Sequence, residues 1–274
     1  MSKRVILAAL ALVTALVTAS APAALASGKI VITGSTTVLP IAQKAAEVYM
    51  KKHPGVEISV AGTGSGDGIK SLIDGTCDIA DASRDMKPKE IKKAEAKGIQ
   101  PVRHTVALDC IVPVVHPSNP VKNLTLEQLK GIYTGKIRNW KEVGGQDKPI
   151  VVISRDSSSG TFEVWNHKVL NKARVRPDAQ LQASNGAVAQ AVAGNKYAIG
   201  YVGIGYLNPK LKALTVNGVK ASPQTAMKGT YPVARGLYMF TPGKPRGEVK
   251  KFLDFVKGPE GQKIAAQEGF VPLN

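Results

Sequence analysis

The sequence is poor in cysteine and in aromatic residues. It has two cysteines in 274 residues, and Phe, Trp and Tyr together make up 5% of the chain. Two cysteines cannot build the disulfide framework of a small secreted domain, and so few aromatic rings argue against the base-stacking surfaces of single-stranded nucleic-acid binders. A hydrophobic fraction of 43% excludes an intrinsically disordered chain. The composition is that of a globular protein of one or two domains.

The usual catalytic and nucleotide-binding motifs are also absent from the sequence. The glycine-rich stretch 62–71 is not a P-loop, because Ile69 separates Gly68 from Lys70. No GxGxxG fingerprint, GxSxG elbow or HExxH pair occurs. A hydrolase built on Ser159 would need a base beside it, and none is evident locally. These absences argue against a P-loop or dinucleotide-binding protein, a GxSxG hydrolase and an HExxH zinc enzyme.

Acidic residues are few relative to basic ones. The chain has 20 Asp and Glu against 37 Lys and Arg, which gives a formal net charge of +17. The lysines are spread along the chain, and those of segment 87–97 are mixed with Glu90 and Glu95 in a pattern typical of a solvated helix face. A positive surface can steer anions toward a cleft. We expect an anionic small-molecule ligand and no nucleic-acid partner.

The one long apolar run lies at the start of the sequence. Lys3 and Arg4 precede the apolar stretch Val5–Thr18, and Ala24-Leu25-Ala26 supplies small residues around a cleavage site. The run is shorter than the roughly 20 apolar residues of a spanning helix. The sequence predicts a cleavable signal peptide over residues 1–26 and export to the periplasm, with an uncleaved anchor as the alternative. No cysteine near the cleavage site could carry a lipid.

The two cysteines, Cys77 and Cys110, are not spaced as a metal site and have no histidine close by in the sequence. In an oxidising compartment two thiols tend to pair. A disulfide between Cys77 and Cys110 is therefore predicted, which requires Cα atoms within about 7 Å. The alternative is two buried, reduced cysteines.

A strand, a loop of small polar residues and a helix follow one another three times along the chain. The β-branched segments 29–33, 56–60 and 149–154 each run into a loop rich in Gly, Ser and Thr, after which apolar residues recur at helical spacing. Alternating strands and helices predict an α/β fold with mainly parallel sheets flanked by helices.

The three loops predict an anion site. The amino end of a helix presents unpaired N–H groups and a partial positive charge, and glycines let a ligand approach the backbone closely. Each loop taken alone is better explained as an ordinary helix cap, because Ser and Thr are common at helix starts. Three such loops, one of which carries Arg155, favour one shared anion, because the planar guanidinium fork matches an oxyanion.

At these loops the sequence resembles the periplasmic phosphate-binding component of the high-affinity phosphate ABC importer. The resemblance implies a two-lobed type II periplasmic-binding-protein fold with two hinge crossings, one phosphate held between the lobes, an ABC permease as partner, and a monomer. It extends over nearly all of residues 28–274. The stretches that carry it are 34–40, 62–66, 78–84, Arg155 with Ser159-Gly160-Thr161, 198–202 and 268–273.

The resemblance also implies which residues bind phosphate. The carried-over positions are Thr36, Thr37, Val38, Ser65, Arg155, Ser159, Gly160 and Thr161. Much of the family has an Asp after the third strand that accepts the proton of hydrogen phosphate, but Ser83 stands there in this chain, followed by Arg84. Ser83 and Arg84 are therefore expected at the site, Arg84 as a second guanidinium. Asp81, or less favourably Asp85, is the predicted proton acceptor, and the alternatives are backbone carbonyls or the hydroxyls of Ser65 and Ser83.

Two strands are predicted to cross between the lobes, near 105–115 and 234–241. We expect lobe I to comprise residues 27–112 with 238–274, and lobe II residues 113–237. A last helix over 248–268 has apolar residues on one face and is predicted to pack on lobe I.

The resemblance implies a protein that captures inorganic phosphate and delivers it to a membrane permease. It also implies that the protein is not an enzyme and needs no cofactor or metal. A binder of another tetrahedral oxyanion, such as sulfate, molybdate or tungstate, is the alternative. An exported phosphatase is a third and weaker one.

Overall fold

The protein is described here by a computed structural model that covers residues 28–273. The predicted signal peptide, residues 1–26, lies outside these residues. Within residues 28–273, no helix has both the length and the apolar character needed to cross a membrane.

Strands and helices alternate along most of the described chain. The strands are β1 (Gly28–Gly34), β2 (Val56–Gly62), β3 (Ile79–Ala82), β4 (Val102–Val115), β5 (Asn123–Leu124), β6 (Val151–Arg155), β7 (Gln180–Gln182), β8 (Ala198–Gly203), β9 (Lys212–Ala213), β10 (Thr215–Val216) and β11 (Ala234–Thr241). The helices are α1 (Leu39–Lys52), α2 (Ser65–Asp74), α3 (Pro88–Glu95), α4 (Leu126–Thr134), α5 (Gly160–Lys168), α6 (Asn185–Ala193), α7 (Pro223–Met227), α8 (Gly247–Lys257) and α9 (Pro259–Gln267). The three predicted strand–loop–helix units are β1–α1, β2–α2 and β6–α5.

One long sheet runs through the molecule in the order β2-β1-β3-β11-β4-β8-β6-β7. The strands toward its two ends pair in parallel, β2 with β1 and β1 with β3 on one side, and β8 with β6 and β6 with β7 on the other. The two central strands, β4 and β11, are antiparallel to each other because the chain crosses from one half to the other in β4 and returns in β11. This is the mixed α/β, two-lobed architecture predicted from the sequence.

The apolar core is divided in the same way. One cluster contains Trp165 stacked on Tyr201, with ring centroids 4.3 Å apart, and includes the later half of β4. A second joins β1, α1, α8 and α9, where Tyr49 contacts Phe252 edge to face. A third lies under α2 and β3. The first cluster already includes Cys110, which the predicted boundary gives to lobe I. The boundaries 27–112 with 238–274 and 113–237 stay a prediction.

The predicted helix over 248–268 is wrong in one respect, because the structure has two helices there. Helix α8 ends at Lys257, Gly258 is extended with φ −76° and ψ 175°, and α9 begins at Pro259. Proline lacks the N–H that would continue the first helix, so the break follows from the sequence itself. A Cβ atom on Gly261 would lie 2.2 Å from the carbonyl oxygen of Val256, so the turn between the helices also depends on a glycine there.

The predicted disulfide is also wrong, since both cysteines are free. Cys77 packs in the cluster under α2 and β3, whereas Cys110 lies on β4 in the cluster of Trp165. The two thiols thus belong to separate apolar cores. Burial raises the pKa of each thiol to about 12, so both are protonated at neutral pH.

Candidate anion-binding site

The first loop joins β1 to α1 and depends on Gly34. The φ of Gly34 is 139°, and a Cβ atom there would lie 2.2 Å from the carbonyl oxygen of Asp81. That carbonyl accepts a hydrogen bond from Ser35 N at 2.8 Å. The close approach ties the loop to β3 and directs the chain into α1, whose first residues are Leu39 and Pro40.

The hydroxyls of this first loop meet the start of helix α5. Thr36 and Thr37 are both buried, and Thr37 Oγ1 lies 3.0 Å from Thr161 Oγ1. Asn185 Nδ2 donates to Thr36 Oγ1 at 3.1 Å and to Thr37 Oγ1 at 3.0 Å. Val38, the residue before α1, is fully buried beside them. The structure thus brings together residues far apart in sequence that were predicted as phosphate ligands.

The second loop meets β3 and the third loop at two serines. Ser83 N donates to Ser65 Oγ at 3.0 Å, and the two hydroxyl oxygens are 3.3 Å apart. A Cβ atom on Gly160 would lie 2.4 Å from Ser65 Oγ and 2.8 Å from Ser83 Oγ. The start of α5 lies so close to the two serine hydroxyls that only glycine fits at position 160.

Arg155 ends strand β6 and is 2% exposed. Its Nε donates to Gln182 O and its Nη2 to Ala183 O, each at 2.9 Å. Its Nη1 has no partner among the described residues. Burial lowers the pKa of Arg155, but a guanidinium still holds its charge at neutral pH. Two carbonyls thus fix the orientation of a cation that keeps an N–H group free for a ligand.

Ser159, Gly160 and Thr161 start helix α5. Ser159 Oγ accepts from Phe162 N at 3.1 Å, which is a regular N-cap. The hydroxyl hydrogen of Ser159 is not used by this bond. The same residue can therefore cap the helix and donate to an anion.

Arg84 does not join the hydroxyl cluster. Its two terminal nitrogens bind Glu90 at 2.8 and 2.9 Å, and its Nε lies 2.8 Å from Glu163 Oε2 in an ion pair. Two carboxylates therefore neutralise it, and the structure does not support the predicted second guanidinium at this position. Asp85 is exposed and pairs with Arg103 at 2.5 Å, so it is not brought to the site either.

Asp81 is buried at the end of β3. Its Oδ1 has no hydrogen-bond partner among residues 28–273, and its side chain is 2% exposed. Burial raises the pKa of this carboxyl well above its usual range. Burial therefore disfavours the charged form of this carboxyl.

Sequence reasoning missed a second arginine at the site, Arg235 on β11. It faces Asp109 on β4, with Nε donating to Asp109 Oδ2 at 2.8 Å and Nη2 2.7 Å from the same oxygen. Its Nη2 also donates to Thr37 Oγ1 at 3.2 Å and to Thr161 Oγ1 at 3.1 Å, and its Nη1 to Ser83 O at 3.1 Å. The sequence did contain an indication of this pair. Each of the two apolar segments predicted as crossing strands contains one charged residue of opposite sign, Asp109 in 105–115 and Arg235 in 234–241.

Burial acts in opposite directions on the two members of this pair. It raises the pKa of Asp109, against the influence of Arg235, and lowers the pKa of Arg235, against the influence of Asp109. Asp109 Oδ1 also accepts from Ile204 N at 2.9 Å. The carboxylate is thus held by hydrogen bonds on both oxygens.

Asn185 was missed for a different reason. It begins α6 directly after Ser184, which caps that helix by accepting from Ala187 N at 3.0 Å. The short strand β7 and α6 form a fourth strand–loop–helix unit that the sequence analysis did not count. The signal was the Ser-Asn-Gly stretch before an apolar helical pattern.

A groove of about 740 Å³ opens next to the hydroxyl cluster. Gly66 and Ser158 line its inner side, and Arg84 and Glu163 form part of its wall. Lysines and carboxylates both line the rest of the groove, namely Lys70, Lys87, Lys89, Lys93 and Lys97 with Asp67, Asp74 and Glu90. The groove therefore carries charges of both signs. In the part of the chain that the structure describes, no group of three or more His, Cys, Asp or Glu side chains could hold a metal.

Known proteins are similar to this chain over most of its length. A family model described as a PBP superfamily domain matches residues 19–260. The phosphate-binding protein PstS of Bacillus subtilis is 34% identical over 250 residues, covering 90% of this chain and 82% of that protein. The protein of the same name from Pseudomonas aeruginosa PAO1 is 31% identical over 270 residues, covering 90% and 84%.

Solved structures give the same result. A putative phosphate ABC transporter substrate-binding protein from Clostridium perfringens, with bound phosphate, is 37% identical with a TM-score of 0.85, and the match covers 90% of this chain and all of that one. An ABC-type phosphate transport receptor from Vibrio cholerae is 33% identical with a TM-score of 0.73, covering 88% and 99%.

Proposed function

The chain belongs to the PBP superfamily and, within it, to the phosphate-binding proteins, and from this premise we propose that it captures inorganic phosphate between its two lobes for an ABC-type permease. It is a solute-binding protein and not an enzyme. The observation that carries the proposal is the buried guanidinium of Arg155. Its Nη1 has no partner among residues 28–273, and the side chain is 2% exposed.

The proposed phosphate ligands come from three helix starts and two strand ends, those of β3 and β6. Backbone N–H groups and hydroxyls at the amino ends of α1, α2 and α5 would surround the anion, and Arg155 would supply the charge-assisted contact. Ten positions were predicted, and Arg84 is removed because Glu90 and Glu163 neutralise it. The remaining set is Thr36, Thr37, Val38, Ser65, Ser83, Arg155, Ser159, Gly160 and Thr161.

The group that accepts the proton of hydrogen phosphate is part of the same proposal. Asp81 remains a candidate, supported by its buried and unpartnered carboxyl oxygen. The hydroxyls of Ser65 and Ser83 are the alternative, because Ser83 Oγ receives no nitrogen donor among the described hydrogen bonds. An Asp81→Asn variant separates the two. If Asp81 is the acceptor, the preference for phosphate over sulfate falls, because sulfate has no proton to donate.

The cellular setting follows from the family and from the start of the sequence. We propose that residues 1–26 direct export to the periplasm, and that the remaining protein acts as a monomer. Two lobes comprising residues 27–112 with 238–274, and 113–237, would close over the anion about the crossing strands β4 and β11.

Calorimetric titration of ligand-stripped protein tests the function directly. The protein is titrated with phosphate, sulfate, molybdate and tungstate at one pH and ionic strength. We expect saturable binding of phosphate at one site per chain, and weaker binding of the other three anions. If the protein binds sulfate, molybdate or tungstate more tightly than phosphate, that anion is its ligand and the proposed function is wrong. Turnover of a chromogenic phosphomonoester would overturn the non-enzymatic assignment.

A further inference from the structure

The crossing strands carry a buried pair of charges at the centre of the molecule. Arg235 on β11 lies opposite Asp109 on β4, and both side chains are almost fully inaccessible to solvent. The bond from Arg235 Nε to Asp109 Oδ2 fixes the guanidinium plane. Since the backbones of both residues belong to paired strands, the guanidinium has little freedom to move.

The fixed guanidinium reaches one hydroxyl from each lobe. Its Nη2 donates to Thr37 Oγ1, in the loop before α1, and to Thr161 Oγ1, in the first turn of α5. Asn185 Nδ2 donates to Thr37 Oγ1 as well. The amide of Asn185 is oriented by Gly203 N, which donates to its Oδ1 at 3.1 Å, so the nitrogen faces the threonines.

The numbers of donors and acceptors around the Thr37 and Thr161 hydroxyls determine which of the two hydroxyls donates to the other. A hydroxyl has one hydrogen and two lone pairs, whereas guanidinium and amide nitrogens only donate. Arg235 and Asn185 occupy both lone pairs of Thr37, so Thr37 must donate its own hydrogen. Thr161 Oγ1, 3.0 Å away, is the acceptor present. Thr161 has then accepted from Arg235 and from Thr37, and its remaining hydrogen is free for the ligand.

We infer that Arg235 is a positioning residue that makes the Thr37–Thr161 pair a pure hydrogen-bond donor to the bound anion. The inference rests on the proposed phosphate-binding function and concerns how the site distinguishes protonated from unprotonated oxygens. A hydroxyl without a free lone pair binds an unprotonated oxygen and cannot accept the hydrogen of a P–OH group. The protonated oxygen of hydrogen phosphate therefore turns away from this pair, toward Ser65 and Ser83.

The test replaces both charges together, in the variant Arg235→Met with Asp109→Asn. Net charge is unchanged, no buried carboxylate is left alone, and the two threonines regain free lone pairs. Affinities for phosphate and sulfate are measured by calorimetry at pH 7. We expect both to fall, with sulfate falling about fivefold or more beyond phosphate, because only phosphate can use the new acceptors. The ratio of phosphate to sulfate affinity therefore rises.

A matched control removes an ion pair that is remote from the threonines. In Arg176→Met with Asp178→Asn, a guanidinium paired at 2.5 Å is lost from lobe II, and we expect both affinities to stay within about twofold of the starting protein. If the Arg235 double variant does not fold, Arg235→Lys keeps the charge but reaches one threonine only. It should change the ratio in the same direction by a smaller factor.

The outcomes separate this inference from the proposed function. An unmodified protein that does not bind phosphate overturns the function itself. A folded Arg235 variant that loses phosphate and sulfate affinity by the same factor, or that loses neither, overturns the inference and leaves the function in place.

Discussion

Arg84 and Glu163 form an ion pair, Nε to Oε2 at 2.8 Å, that joins the segment after β3 to helix α5 in the other lobe. Lys87 Nζ reaches the second oxygen of Glu163 at 2.6 Å. Glu163 is only 14% exposed, so water screens these charges weakly. The two contacts cross the cleft beside the proposed anion site. We expect these ion pairs to stabilise a closed arrangement of the lobes.

We predict that Glu163→Gln weakens phosphate binding by loosening closure. The variant loses two ion pairs that exist only when the lobes meet, which costs about 1 kcal/mol, or roughly fivefold in Kd. The loss should appear as faster dissociation in stopped-flow measurements, with an association rate close to that of the unmodified protein. Glu90→Gln is the matched control, because it removes a partner of the same Arg84 from within one lobe. An equal effect of both variants on dissociation would contradict the prediction.

Arg155→Lys tests the guanidinium of the proposed site. The variant keeps the positive charge but loses the fork that two carbonyls hold in place. We expect phosphate affinity to fall by more than about tenfold, since a charge-assisted contact from the free Nη1 exceeds one neutral hydrogen bond and lysine cannot keep the same geometry. Calorimetry measures the loss, with Arg176→Lys as the control for the same chemical change outside the site. An Arg155→Lys protein that binds as the unmodified one does would remove Arg155 from the site.

Ser159→Ala tests whether one hydroxyl serves both helix and ligand. Its oxygen caps α5, so we expect the ligand-free protein to lose about 1 kcal/mol of stability. Its hydrogen is free for the anion, so phosphate affinity should fall as well. Thr125→Ala is the control, because Thr125 caps a helix of the same nine-residue length by accepting from Gln128 N at 3.1 Å. The Thr125→Ala variant should lose stability and keep its phosphate affinity. If Ser159→Ala behaves in the same way, Ser159 caps the helix and does not bind the anion.

Local patterns account for what the sequence could predict. The β-branched strands, the small polar loops and the helix caps depend on neighbours within a few residues, and the predicted loops are indeed those that meet at the site. The break at Gly258-Pro259 was equally local and could have been predicted. The antiparallel crossing of β4 and β11 was expected as two hinge strands, although the pairing of individual residues between them was not.

The partners of the charged residues were beyond local reasoning. Arg235 and Asp109 are 126 positions apart, and only the register of two strands places them together. The resemblance implies a Ser-Arg pair at the ligand, yet the direction of the Arg84 side chain is set by Glu90 and Glu163 on two different helices. These ion pairs depend on the register between distant strands and on where the helices pack. The periodicity of the sequence contains neither kind of information.

Asp81→Asn should stabilise the ligand-free protein, and more so as pH rises. Burial raises the pKa of Asp81 in the folded protein above its value in the unfolded chain. Above about pH 4 the unfolded chain has therefore lost a proton that the folded protein still holds, so stability decreases as pH rises. Asparagine does not titrate, so the variant lacks this loss of stability with rising pH. The gap in melting temperature between variant and unmodified protein should widen as pH rises above about 4, up to the raised pKa of Asp81, as measured by calorimetry.

The control for this last prediction is Asp67→Asn, which removes the same charge from an exposed position. Each unit by which burial raises the pKa of Asp81 corresponds to about 1.4 kcal/mol, so the widening should exceed any trend in the control. Asp109 is also buried with a raised pKa, but it is present in both proteins and cancels in the difference. A gap that stays constant with pH would mean that Asp81 titrates normally, and its carboxylate would then have to be charged and hydrated inside the fold.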